Sequence, residues 1–147
     1  MQYQKLGESY YIQMDKGEAV VAGILEVCSR EDIASATFSG IGGCQSAEIQ
    51  TFIPERGEFE TQSLQGMLEL VSLNGSVFIE ESGQRHVHAH ALFAYKQDGQ
   101  HCLSGGHLKD TTVRYTAEIE LRPVVGGVLG YKFNAETGTG TWKPERR

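Results

Sequence analysis

Apolar positions along the chain change period once, near its start. Tyr10-Tyr11-Ile12-Gln13-Met14 followed by Asp15-Lys16-Gly17 predicts a short first strand ending in a turn. In the next segment Val20, Val21, Ile24, Leu25, Val27, Cys28 and Ile33 recur at spacings of three and four, which predicts an amphipathic helix over 17–30. Glu18 falls in its first turn and Arg30 in its last, an arrangement that suits the helix dipole. From Ala36 onward the period is two. Ala36–Ser39, Ala47–Ile53, Phe59–Gln62 and Leu68–Leu73 read as strands, the second stopped by Pro54 and the last by an Asn74-Gly75 hairpin signal. Further strands are expected at Ser76–Glu80, His86–Tyr95, His101–His107 and Thr112–Leu121. One N-terminal helix followed by closely spaced strands predicts an α+β fold, a mainly antiparallel sheet with the helix packed on it. Residues 1–122 carry this pattern, and the glycine-rich segment 123–147 reads as a loop, trailing strand or frayed tail of the same domain.

At 147 residues the chain has the length of a single domain, with no internal repeat. Its formal charge of −6 argues against a surface that tracks phosphates, although not against a local patch. The cysteines, Cys28, Cys44 and Cys102, form no C-x-x-C pair and read as small buried thiols of a reducing compartment. No apolar leader or membrane-length apolar stretch occurs, so cytoplasm is expected and a membrane partner is not.

The candidate chemistry is concentrated. All the histidines, His86, His88, His90, His101 and His107, lie in one short stretch. In a strand His86, His88 and His90 share one face, and Val87, Ala89 and Ala91 take the other. Asp98-Gly99 is a preferred two-residue hairpin loop. Used as such, it sets Gln97 opposite Gln100 and His90 opposite His107, with His88 as diagonal neighbour. His101 shares the face but sits too far along the strand to join. Three converging imidazoles describe either a divalent transition-metal site, zinc or a similar ion with one position open, or a metal-free polar cluster. His86 stands in reserve.

Other residues are less specific. Glu69 interrupts an apolar run on the face expected to hold Val71 and Leu73. It could be a ligand, an outer base, half of an ion pair or simply structural. Arg114 alternates with Tyr115 and could face the site or solvent. Gly40, Gly42 and Gly43 follow a strand without forming G-x-G-x-x-G, so tight turning and close packing account for them better than a phosphate loop.

The ordered series MDKGEAVVAGILEVC, FSGIGGCQSAEI, LELVSLNGSV, HVHAHA and GGHL resembles the plants-and-prokaryotes-conserved (PPC) domain over roughly residues 8–122. The resemblance implies an α+β domain assembled as a homotrimer. Its plant members carry DNA-binding AT-hooks, and its stand-alone prokaryotic members are provisionally described as DNA-binding proteins. It maps His88, His90 and His107 onto the family's H-x-H and G-G-H positions, and Glu69 onto the acidic residue of its E-x-x-x-L-x-G run. No Arg-Gly-Arg-Pro hook is present. The fold also resembles acetolactate decarboxylase, whose zinc is held by three histidines. A small metal-dependent enzyme acting on an oxo- or hydroxy-acid is therefore the alternative to a regulatory, DNA-binding or small-ligand-binding protein.

Overall fold

In a computed structural model of the chain, which describes residues 1–136 and 138–146, eight strands accompany one helix. They run β1 (Gln2–Leu6), β2 (Ser9–Asp15), α1 (Val20–Arg30), β3 (Ala36–Ile53), β4 (Glu58–Ile79), β5 (Arg85–Gln97), β6 (Gln100–Pro123), β7 (Gly127–Asn134) and β8 (Thr139–Arg146). The sheet order is β1-β2-β6-β3-β4-β7-β8, and β5 pairs with both β4 and β6. Strands β6, β3, β4 and β5 therefore close into a ring. Every pairing is antiparallel except the single parallel contact of Ile79 with Gly130. The fold is α+β with a mainly antiparallel sheet, as the change of period predicts. No helix among the described residues is long and apolar enough to cross a membrane.

The strands are fewer and longer than their sequence signals. Ala36–Ser39 and Ala47–Ile53 are both parts of β3, which passes through its glycines by register shifts at Gly40/Gly42 and Cys44/Ser46. The glycines thus serve close packing without a turn. A Cβ on Gly42 would lie 2.7 Å from the Thr116 carbonyl oxygen and 2.9 Å from the Ala117 Cα. Asn74-Gly75 is likewise not a hairpin. It lies inside β4, with Asn74 opposite both Ser39 and His90 and Gly75 opposite Phe38 and Ala89. A Cβ on Gly75 would run into the Phe38 ring and come within 2.6 Å of the His88 carbonyl oxygen. Space rather than turn geometry demands this glycine.

Three further features have physical causes. Strand β1 was not expected, because Gln2-Tyr3-Gln4-Lys5-Leu6 is an edge strand that sets only Tyr3 against the core. The tail forms the β7–β8 hairpin, the trailing-strand reading among the three. The helix starts at Val20, so Glu18 lies outside it, and its carboxylate accepts instead from the Asp15 backbone N–H at 2.7 Å. Ala19 offers the helix no side-chain cap. That role falls to Asp110 of β6, whose Oδ1 accepts from Val21 N–H at 2.9 Å and from Thr111 N–H at 2.7 Å.

The core lies between α1 and the inward side of the strands. Val20, Ile24, Val27 and Cys28 of the helix meet Ile12, Met14, Phe93, Val113, Ala117 and Leu121 in one buried cluster. The thiols are all unpaired. Cys28 and Cys44 are buried, and burial pushes the Cys28 thiol up to about 11. Cys102, expected to be buried, is partly exposed near the β5–β6 turn.

The cap supplied from β6 is testable. Asp110→Ala leaves Val21 N–H without its acceptor and should cost about 1–2 kcal/mol, the scale of a lost N-cap. The check is a lower urea midpoint with an unchanged slope. An unchanged midpoint would mean that the contact contributes nothing to stability.

Candidate metal centre

Strand β5 is where alternation becomes chemistry. Ala89, Ala91 and Phe93 point into the ring and are buried, so His86, His88 and His90 point outward. Asp98 and Gly99 have φ of 51° and 78°, the left-handed pair of a two-residue hairpin turn whose twist matches its strands. The turn fixes Gln97 opposite Gln100 and, seven residues down, His90 opposite His107. On the far side β4 places Asn74 opposite His90 and Ser76 opposite His88. Gly105 and Gly106 precede His107, and a Cβ on Gly106 would stand 2.8 Å from the Gln50 carbonyl oxygen of β3.

The three rings gather into a triangle. Centroids lie 5.3 Å apart for His88–His90, 5.0 Å for His88–His107 and 5.6 Å for His90–His107. One ring nitrogen from each lies within 4.8 Å of the others. Nitrogens bound tetrahedrally to one zinc would be about 3.3 Å apart, given bonds of about 2.0–2.1 Å. Burial, and then the neighbouring His90, holds His88 below the ordinary imidazole pKa; burial, and then His88 and His90, does the same to His107. Both are therefore neutral near pH 7, with lone pairs free to coordinate. The donor set fits a borderline-soft divalent ion and leaves a position uncovered by protein.

The remaining candidates are elsewhere or otherwise engaged. His86 faces the same way as the triangle, but its Nε2 lies 2.6 Å from Glu80 Oε1 and its ring stacks on Phe78 at 5.6 Å. His101 pairs with Lys96 near the turn and is exposed. Glu69 is exposed, opposite Gly43 and Ala94, about 13 Å along the strands from the Asn74–His90 pair. It shares no face with Leu73, because a register shift between Leu70 and Ser72 intervenes, leaving Leu73 buried and Val71 exposed. Arg114 is exposed too, its guanidinium 5.6 Å from the Tyr115 ring centre. Neither belongs to the three-histidine group.

Some neighbours carry no signal in the sequence. Phe59 tilts against His107 with centroids 5.6 Å apart, and Tyr131 lies 5.1 Å from His86. Each arrives by long-range strand pairing, which no local pattern announces. Glu80 could have been suspected only from its nearness to His86 in sequence.

Residues 1–125 match the Plants and Prokaryotes Conserved (PCC) domain. The chain belongs to that family. Among solved structures, this PCC domain is similar to a plant- and prokaryote-conserved protein from Pyrococcus horikoshii, at 30% identity and a TM-score of 0.82, over 97% of this chain and 94% of that one. A metal-containing protein from Archaeoglobus fulgidus is 28% identical, with a TM-score of 0.81 over 97% and 99% of the two chains. A protein from Ralstonia eutropha, provisionally described as DNA-binding, is 25% identical, with a TM-score of 0.83 over 96% and 94%. No curated protein matches the chain.

The hairpin register can be tested directly. One residue inserted between Asp98 and Gly99 turns His107 to the opposite face of β6. Zinc binding by calorimetry should drop at least about tenfold, as expected when one of three ligands is lost. An insertion variant that bound zinc like the parent would show that the ladders rather than the turn hold His107 in place, and a His107→Ala variant that did so would show that His107 is not a ligand.

Proposed function

We propose that this PCC-domain protein is a homotrimeric metal-binding protein whose ion, held by His88, His90 and His107, presents one position to a small ligand. The observation that carries this reading is the convergence of three imidazoles from two strands on the outward side of the ring. The metal content of the Archaeoglobus fulgidus relative supports it. Zinc suits the donor set best, since it accepts three neutral nitrogens and keeps a fourth site for exchange. When bound, the ion would supply a Lewis-acid centre for an oxygen donor. The protein's own share is to hold the imidazoles neutral and oriented. Glu80 fixes His86 beside them, and Glu69 and Arg114 take part only as distant surface groups. A cytoplasmic location completes the reading.

Assembly has a physical motive in the uneven surface. Leu6, Tyr11, Ile41 and Val71 are exposed, and all line one open cavity of about 800 Å³ on the sheet. Apolar side chains grouped in this way mark interaction surfaces more often than they occur on monomers. Ile41→Glu should lower the mass in solution from trimer to monomer, read by light scattering, with the far-ultraviolet spectrum unchanged. A parent protein of monomer mass would remove the trimer from the reading.

DNA binding is the second reading, favoured by the Ralstonia eutropha relative. The chain's formal charge of −6 opposes it, because duplex affinity comes chiefly from cations on phosphates. A salt-sensitive gel shift would favour that reading, and metal-dependent turnover of a small oxo- or hydroxy-acid would favour an enzyme at the same site.

The metal itself is the first thing to measure. Purified protein should hold one divalent ion per chain, and His90→Ala should reduce it most, since His90 adjoins His88 along the strand and His107 across it. Occupancy should stay high through neutral pH. It should fall only once the pH drops below the usual imidazole value of about 6.5, because the pKa values of His88 and His107 are already lowered. Full stoichiometry in His90→Ala would place the ion elsewhere.

A further inference from the structure

The β7–β8 hairpin is an anchored arm with an uncovered end. Val128 and Leu129 at its base are buried, and Leu129 N–H donates to Ser35 Oγ at 3.0 Å. Tyr131 packs on His86 and Phe78 of its own chain. Beyond these anchors, among the described residues, β8 pairs with β7 alone. Trp142 lies opposite Tyr131 and Arg146 opposite Gly127, so Tyr131, Phe133, Trp142 and Arg146 share one face of the arm. Phe133 and Trp142 on that face are 57% and 47% exposed, and Arg146 is exposed as well.

The open cavity on the sheet is this arm's complement. Exposed Leu6, Tyr11, Ile41 and Val71 make it apolar and Glu118 and Glu120 make it acidic, and among the described residues no lysine or arginine lines it. The arm has the opposite charge. Residues 126–147 hold Lys132, Lys143, Arg146 and Arg147 against Glu136 and Glu145, a positive segment in a chain of net charge −6. Complementary charge lets two surfaces select each other and fixes their register. A chain's own arm cannot fill its own cavity. β7 meets β4 in parallel at Gly130 and Ile79, so it runs on away from the earlier residues of β4. Leu73, on the cavity wall, lies about 20 Å back along β4 from that contact, and Phe133 lies about 10 Å onward. The two surfaces can meet only between chains.

We infer that the β7–β8 arm of one protomer docks in the cavity of a second copy of this chain, with Phe133 and Trp142 against Leu6, Ile41 and Val71 and with Arg146 towards Glu118 and Glu120. The inference rests on the homotrimer reading above and names the contact that builds it. An arm and a cavity at different places on one chain make a head-to-tail contact, which stops growing only when the rotation between copies closes a ring. In a closed ring of three, every arm is seated and every cavity is filled. The aromatic rings then gain the cover that a single chain does not give them.

Trp142 is the chain's one tryptophan, so its emission reports on the arm while the substitution is made in the cavity. Ile41→Glu should take the mass from trimer to monomer and also move Trp142 emission to longer wavelength, as the ring passes from a covered site to water. Phe133→Ser with Trp142→Ser, an arm stripped of its exposed rings, should give monomers with the parent's far-ultraviolet spectrum. Arg146→Glu, which leaves those rings in place, should raise the concentration at which trimers dissociate at least about tenfold, because it sets like charges together. Mixing then joins the intact arm of the Ile41→Glu chain to the intact cavity of the stripped chain. With the stripped chain in excess, Trp142 emission should return to the parent's wavelength. A trimeric parent whose arm variants both stay trimeric, whose Trp142 emission ignores Ile41→Glu, or whose emission is not restored by mixing would overturn the inference and leave the trimer reading intact. A parent of monomer mass would overturn the trimer reading and the inference with it.

Discussion

Strand β5 is hydrogen-bonded to β4 on one side and to β6 on the other, and the site depends on both ladders being in register. The β6 ladder sets His107 opposite His90. The β4 ladder sets Asn74 and Ser76 beside His90 and His88, and stops the strand from twisting away. With both in place β5 cannot slide, because a one-residue slip would drive its histidines into the ring and Ala89, Ala91 and Phe93 out of it. Burial of those three small or aromatic side chains is what holds the imidazoles outward. The core and the candidate metal site are two sides of one alternation.

This explains why the gathering of His88, His90 and His107 was legible in the sequence. His86, His88 and His90 announce their common face by alternation alone, and Asp98-Gly99 carries its register to His107 without help from the rest of the chain. Both signals are local. Glu69 misled for the opposite reason. A register shift between Leu70 and Ser72 changes which face its neighbours share, and nothing in Leu68–Leu73 marks it. Asn74-Gly75 misled because a glycine can answer to two demands. Its hairpin meaning is local, whereas its real role, giving room to the Phe38 ring, comes from a strand more than thirty residues away in sequence.

The same distinction governs the glycines of β3. Taken alone they suggest turns, and a chain broken at each would make many short strands. Gly42 instead lies tight against Thr116 and Ala117 of β6 and Gly40 against Glu118 and Ile119, and β3 continues through them with its register shifted. Long bent strands are how a few elements close a ring, and closure leaves few free edges to pair with other chains. Exposed apolar residues gather on the open sheet face and on the β7–β8 hairpin, with Leu103 and Val125 apart from both.

The carboxylate that caps α1 has a consequence for how the chain reaches this state. An eleven-residue helix is shorter than the about 12–15 residues at which isolated helices become even marginally stable, and α1 has no local side-chain cap. Its first free amide finds an acceptor only when Asp110 arrives, 89 residues further along the chain. The helix is thus no early nucleus around which strands condense. It must wait for β6, which itself needs β3 and β5. The polypeptide therefore pays the entropy of distant loop closures before its one helix is secure, and belongs with the slow, topology-limited folders rather than with those that start from a preformed helix.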